Sequence, residues 1–146
     1  MEKSGRAGIK AMAGAVAMLL ILQFVLGMYI NLFVSIPQNM HWGMMMYSAG
    51  RMMHAFPGFV PLMLHIFLSI AITALSITGF VLSSLFGSIQ DIVLNVIGFA
   101  SIIIAGASGL AFMMGGQNNI NSYIMAVGFL VALVTYMVEF AYANTG

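Results

Sequence analysis

The chain has no cysteine. That absence excludes disulfides, thiolate metal sites and iron–sulfur clusters, and it rules out covalent haem c attachment, which needs a C-x-x-C-H sequence. Charge is nearly as scarce. Only 5% of the 146 residues are Asp, Glu, Lys or Arg and the mean hydropathy is +1.09, whereas an ordinary soluble domain is about 25% charged. So few charges cannot cover a water-facing surface, and the composition predicts an integral membrane protein. Four Lys and Arg in total do not make the basic patch that nucleic acid requires. No long polar stretch interrupts the chain, so residues 1–146 read as a single transmembrane domain. There is also no glycine-rich nucleotide loop, no Ser/His/Asp set and no pair of carboxylates at active-site spacing. Histidine, methionine and isolated carboxylates are left to carry chemistry.

What the chain does have is apolar length. About 20 apolar residues cross a bilayer, and four segments meet that rule: Ala11–Ile36, Phe59–Leu85, Ile92–Met114 and Ile120–Tyr142. The first is too long, and lacks the small-residue cleavage site, to read as a secretory signal. The connections "FGSIQD" and "GGQNN" are short, and short connections make consecutive helices antiparallel neighbours. The expected fold is therefore all-α, a four-helix up-down-up-down bundle. Lys3, Arg6 and Lys10 precede the first segment, and the remaining Arg or Lys is Arg51. Because positive residues stay on the cytoplasmic side, both termini are expected in the cytoplasm and the loop 37–58 outside a multi-pass protein of the cell membrane.

Polar residues inside such helices turn toward the bundle interior, away from lipid. At 100° per residue His65, Ser69, Thr73, Ser76, Gly79 and Ser83 share one stripe of the second helix. Asp91, Asn95, Gly98, Ala105 and Gly109 do so in the third, and Asn121, Met125, Gly128, Ala132, Thr135 and Glu139 in the fourth. The first contributes Gln23, Gly27, Asn31 and Val34. Close packing of small residues with hydrogen bonds between helices explains many of these positions. Asp91 and Glu139 read most simply as helix-end residues reaching water.

His65 asks for more than packing, since it is expected roughly 12 Å below the outer boundary at 1.5 Å per residue. A buried imidazole hydrogen-bonded to Asn31, Asn121 or a carbonyl is one reading. Axial ligation of iron in a haem is the other, because imidazole binds iron well and Gly27, Gly106, Gly109 and Gly128 at that depth would leave room for a flat ring. His41 and His54 belong to the outer loop, so the second ligand is expected to be Met125, about 8 Å deep, with His41 folding down as an alternative. Met28 lies off the inward face. Arg51, His54 and Trp42 would then meet the haem propionates, Arg being suited to a bidentate carboxylate clamp. Trp42 also suits the membrane interface, and the whole loop reads alternatively as an amphipathic segment on the membrane surface.

The loop "MHWGMMM…RMMH" supports another class of function. Thioethers and imidazoles are the soft ligands that select Cu(I), which makes copper the alternative cofactor, although no ladder of Met or His continues across the membrane.

The plan of four helices, a long outer loop after the first and a histidine in the outer half of the second resembles the small four-helix membrane cytochromes b and a half-unit of the haem A synthase type. The phrase "LGMYINLFVSIP" also resembles small prokaryotic membrane proteins of no assigned role. The cytochrome resemblance implies haem b, electron transfer in place of a substrate reaction of the chain's own, and a redox partner or quinol at the outer face. Two features depart from it. The family's histidine in the fourth helix is absent, with Met125 the nearest substitute, and so are the loop Glu and Cys of haem A synthases, which argues against haem hydroxylation. A non-catalytic accessory subunit of a respiratory complex is a third expectation, and the small-residue runs "GFLVA" and "GFASIIIAGASG" suit a homodimer as well as internal packing.

Overall fold

The computed structural model describes residues 2–34, 58–114 and 118–142, with side chains from Ser4 onward. They form four α-helices and, among the described residues, no strand. Helix α1 spans Glu2–Phe33, α2 Phe59–Phe86, α3 Ile89–Met114 and α4 Asn119–Tyr142. All four are long and apolar enough to cross a membrane, which makes the chain a multi-pass membrane protein. The outer-loop residues His41, Trp42, Arg51 and His54 lie outside the described residues.

The helix ends depart from the hydropathy boundaries for local reasons. Helix α1 starts at Glu2 and not at Ala11, because hydropathy marks only the lipid-compatible part while backbone hydrogen bonding continues through Lys3, Arg6 and Lys10. Helix α2 opens at Phe59 after Gly58, and the first i to i−4 bond, from Leu62 N to Gly58 O, is 3.2 Å. Pro61 falls in that first turn, where an amide donor would lack a helical partner anyway. Helix α3 begins at Ile89, ahead of the expected Ile92, because Ser88 and Asp91 form a capping box. Ser88 N and Oγ both donate to Asp91 Oδ2, at 2.7 and 2.8 Å, and Asp91 N donates to Ser88 Oγ at 3.3 Å.

In section the helices form a ring. Helix α1 lies against α2 and α4 and α3 lies against the same two, while the backbones of the diagonal pairs stay apart and α2 and α4 meet only through interior side chains. All four supply the apolar core: Ala13, Val16, Ala17 and Leu20 from α1, Ile72 from α2, Ile102 from α3, Ala132 and Tyr136 from α4. Lipid tails are as apolar as these side chains, so helices associate in a bilayer by close fit and polar contacts. Gly98 provides such a fit, since a Cβ there would stand 2.7 Å from the buried Tyr136 ring. At Gly128 it would stand 3.0 Å from Ser101 O on α3.

Candidate functional site: two polar clusters in the bundle

The first cluster joins α1 to α2. Gln23 Nε2 donates to Ser69 Oγ at 2.6 Å and to His65 O at 3.1 Å, and stands 3.1 Å from His65 Nε2. Ser69 Oγ in turn donates to His65 O at 2.8 Å, and Thr73 Oγ1 to Ser69 O at 2.9 Å. The other edge of the ring faces α1, where a Cβ on Gly27 would lie 3.1 Å from His65 Cε1. His65 Nδ1 and Gln23 Oε1 are buried without a hydrogen-bond partner. The two amide hydrogens of Gln23 go to Ser69 Oγ and His65 O, so its contact with His65 Nε2 leaves the ring open to either tautomer.

Helix α2 starts at the expected Phe59, and His65 is six residues past it, about 9 Å along the helix and less than the expected depth of roughly 12 Å, which counted two residues too many. Its partner is Gln23 and not Asn31, which is exposed. Gln23 was legible as an inward polar residue of α1, but which side chain of α2 it meets depends on the relative height of the two helices.

The donor chemistry of His65 suits iron, since a neutral imidazole offers one lone-pair nitrogen. The two expected ligands, His65 and Met125, stand on opposite helices of the ring. His65 belongs to the seam with α1, whereas Met125 Sδ lies 3.2 Å from the Cβ position of Gly109 on α3, and α2 and α4 are diagonal. The glycines expected to leave room for a macrocycle are occupied: Gly27 by His65, Gly109 by Met125, Gly128 by Ser101 and Ala105. Gly106, with nothing within 4 Å of its Cβ position, is exposed on the outside of α3. Among the described residues no three His, Asp or Glu side chains converge as a metal site.

The second cluster lies at the other end, joining α2, α3 and α4. Asn95 is its hub. Its Nδ2 donates to Ser83 Oγ at 2.7 Å, to Asp91 O at 3.1 Å and to Glu139 Oε1. Glu139 is 1% exposed and Asp91 6%, which corrects the reading of these carboxylates as helix-end groups reaching water: Glu139 points across the bundle, and Asp91 turns back onto its own helix end as a cap. Asn95 Oδ1 and Tyr136 Oη are buried without a hydrogen-bond partner. Tyr136, missed as an inward residue from sequence because a tyrosine also suits the membrane interface, lies one turn before Glu139 and sets its hydroxyl beside Ser76 on α2.

Between the clusters, Thr73 and Ser76 direct their hydroxyls to carbonyls of their own helix, and the apolar core fills the middle. No protein-family model, no curated protein and no solved structure matches the chain.

Proposed function

We propose that the chain is a cell-membrane protein ordered up-down-up-down with both termini in the cytoplasm, and that it serves electron transfer through a b-type haem with His65 as its protein ligand. Neighbouring helices touch in opposite chain sense, Gly5 against Phe86 but Gln23 against His65, and Lys10 by Phe140 but Phe24 by Phe129. Those pairs support the alternating order, and Lys3, Arg6 and Lys10 support the cytoplasmic placement of the end that carries them.

The observation that carries the redox reading is the His65 ring: an intramembrane imidazole whose Nε2 stands 3.1 Å from the Gln23 amide and whose Nδ1 is buried without a partner. Seating a haem there requires Gln23 to swing aside and the seam between α1 and α2 to part at Gly27. The bound group would supply the one-electron chemistry. The chain would supply the ligand, the apolar walls and, at the outer face, the propionate partners expected from Arg51, His54 and Trp42.

The filled glycines favour a second reading, an accessory subunit whose interior is closed by its own side chains. Copper handling rests on the Met/His segment of loop 37–58, outside the described residues. One experiment separates the three. Protein purified in mild detergent is scanned oxidised and dithionite-reduced, and its metals are quantified. The electron-transfer reading expects a Soret band and a sharp α band, with His65→Ala folded but stripped of most haem. A normal spectrum in His65→Ala moves the ligand elsewhere. A colourless protein with stoichiometric copper supports copper handling, and one with no metal supports the accessory subunit.

A further inference from the structure

Glu139 takes no part in the redox reading and sits at the opposite end of the bundle from His65. It is almost fully enclosed by protein, and its polar partners are neutral: Asn95 Nδ2 and, beside it, Ser83. The charged groups on the surrounding helices do not neutralise it. On α1, Arg6 is exposed and Lys10 places its Nζ 5.5 Å over the Phe140 ring. The facing part of α2 offers Ser76 and Ser83, with no ionisable side chain. On α3 the neighbour is Asp91, a second carboxylate, and on α4 it is Tyr136. An ionised carboxylate in such a setting lacks a counter-charge among the described residues, and burial of an uncompensated charge is costly.

Two further observations mark the place as more than a carboxylate in a helix. Asn95, 1% exposed, shares its two amide hydrogens among Glu139, Ser83 and the Asp91 carbonyl while its Oδ1 is left without a partner beside Gly79. Tyr136, also 1% exposed and one turn from Glu139 on the same helix, sets its hydroxyl beside Ser76. Around the carboxylate every polar partner is thus neutral, and a single proton is the smallest partner that removes its uncompensated charge. Glu139 is also close to the aqueous end, three residues from the end of α4 or about 5 Å of helix. Asn95 joins it to the Asp91 backbone carbonyl, while the Asp91 carboxylate is bonded separately to Ser88 at the start of α3.

We propose that Glu139 is a proton-binding site of the bundle, exchanging one proton with the aqueous phase at the end where α3 begins, with Asn95 and Ser83 as fixed partners of its carboxylate. Uptake forms one O–H bond on a carboxylate oxygen and removes one negative charge from the interior. Release returns the proton to water by way of the Asp91 and Ser88 end. No other reactant is needed. Because the amide nitrogen of Asn95, and not its oxygen, faces Glu139, the arrangement favours a proton over a metal cation, which would need oxygen ligands turned inward.

The test is infrared difference spectroscopy of the full chain in lipid vesicles, stepped in pH. The expected result is a carbonyl band of a protonated carboxyl that disappears as a one-proton titration. Glu139→Gln, which preserves volume and a hydrogen-bonding end, should remove the band, and Asp91→Asn should keep it. Asn95→Ala should keep the band but shift its frequency and its midpoint, a change that simple loss of packing elsewhere would not cause. A band unaltered by Glu139→Gln, or no pH-dependent carboxyl band at all, overturns the proposal. A band that responds to added NaCl at fixed pH overturns it in favour of a sodium site. If Glu139→Gln fails to fold, the absence of a pH-dependent carboxyl band in the wild type still overturns the proposal, and its persistence in Asp91→Asn supports it.

Discussion

At the scale of the residue, two glycines on one helix show how differently the same side-chain absence is used. Gly98 lies beneath the ring of Tyr136, where a Cβ would come within 2.7 Å of a side chain that is itself 1% exposed. Gly106 has nothing within 4 Å of its Cβ position. Gly98→Ala is therefore expected to destabilise the bundle by about 1–3 kcal/mol through overpacking, seen as a lower midpoint of thermal unfolding in detergent. Gly106→Ala should be neutral or slightly stabilising, since alanine is the better helix former. Equal losses in both would mean that Tyr136 does not occupy the Gly98 notch. The same scale explains why Asn95 was easy to read and Tyr136 was not. An asparagine six residues into a lipid-spanning helix has few tolerable directions, whereas a tyrosine near a helix end is equally at home at the headgroups.

At the scale of the element, the period of the polar residues placed most of the interior correctly. Ser76, Gly79 and Ser83, Asp91, Asn95 and Gly98, and Gly128, Ala132, Thr135 and Glu139 all lie on the buried faces of their helices. The ends were harder, because a hydropathy profile reports lipid compatibility and a helix end is set by capping. Helix α3 is the clearest case: Ser88 starts it three residues before the apolar run. Ser88→Ala removes the hydroxyl that accepts from Asp91 N and donates to Asp91 Oδ2, keeps the bond from Ser88 N to Asp91 Oδ2, and should cost roughly 1 kcal/mol. Hydrogen exchange at the amides of Ile89 to Ile92 should rise by the corresponding several-fold while exchange in the middle of α3 is unchanged. Uniform change along the whole helix would show that the cap does not act locally.

At the scale of the whole molecule, the alternating order of the helices makes a prediction that needs no ligand. The chain has no cysteine, so single cysteines can be introduced without background. Gln90→Cys, at the exposed start of α3, should resist a membrane-impermeant thiol reagent in intact cells and react after permeabilisation. Asn118→Cys, exposed just before α4, should react in intact cells. The reverse pattern would invert the bundle and put the His65 cluster at the cytoplasmic face.

Composition and period by themselves determined that this chain is a membrane protein of four spanning helices with a polar interior stripe on each. Both conclusions rest on per-residue transfer free energies and on the 3.6-residue turn, which are local properties of the sequence. Which stripes meet, and at what height, was decided only by tertiary packing. The vertical offset that sets Gln23 beside His65, separates His65 from Met125 and brings Glu139 to Asn95 comes from the fit of Gly27, Gly98 and Gly128 against the neighbouring helices. That fit sums many small contacts across the seams, and no single helix carries it in its own sequence.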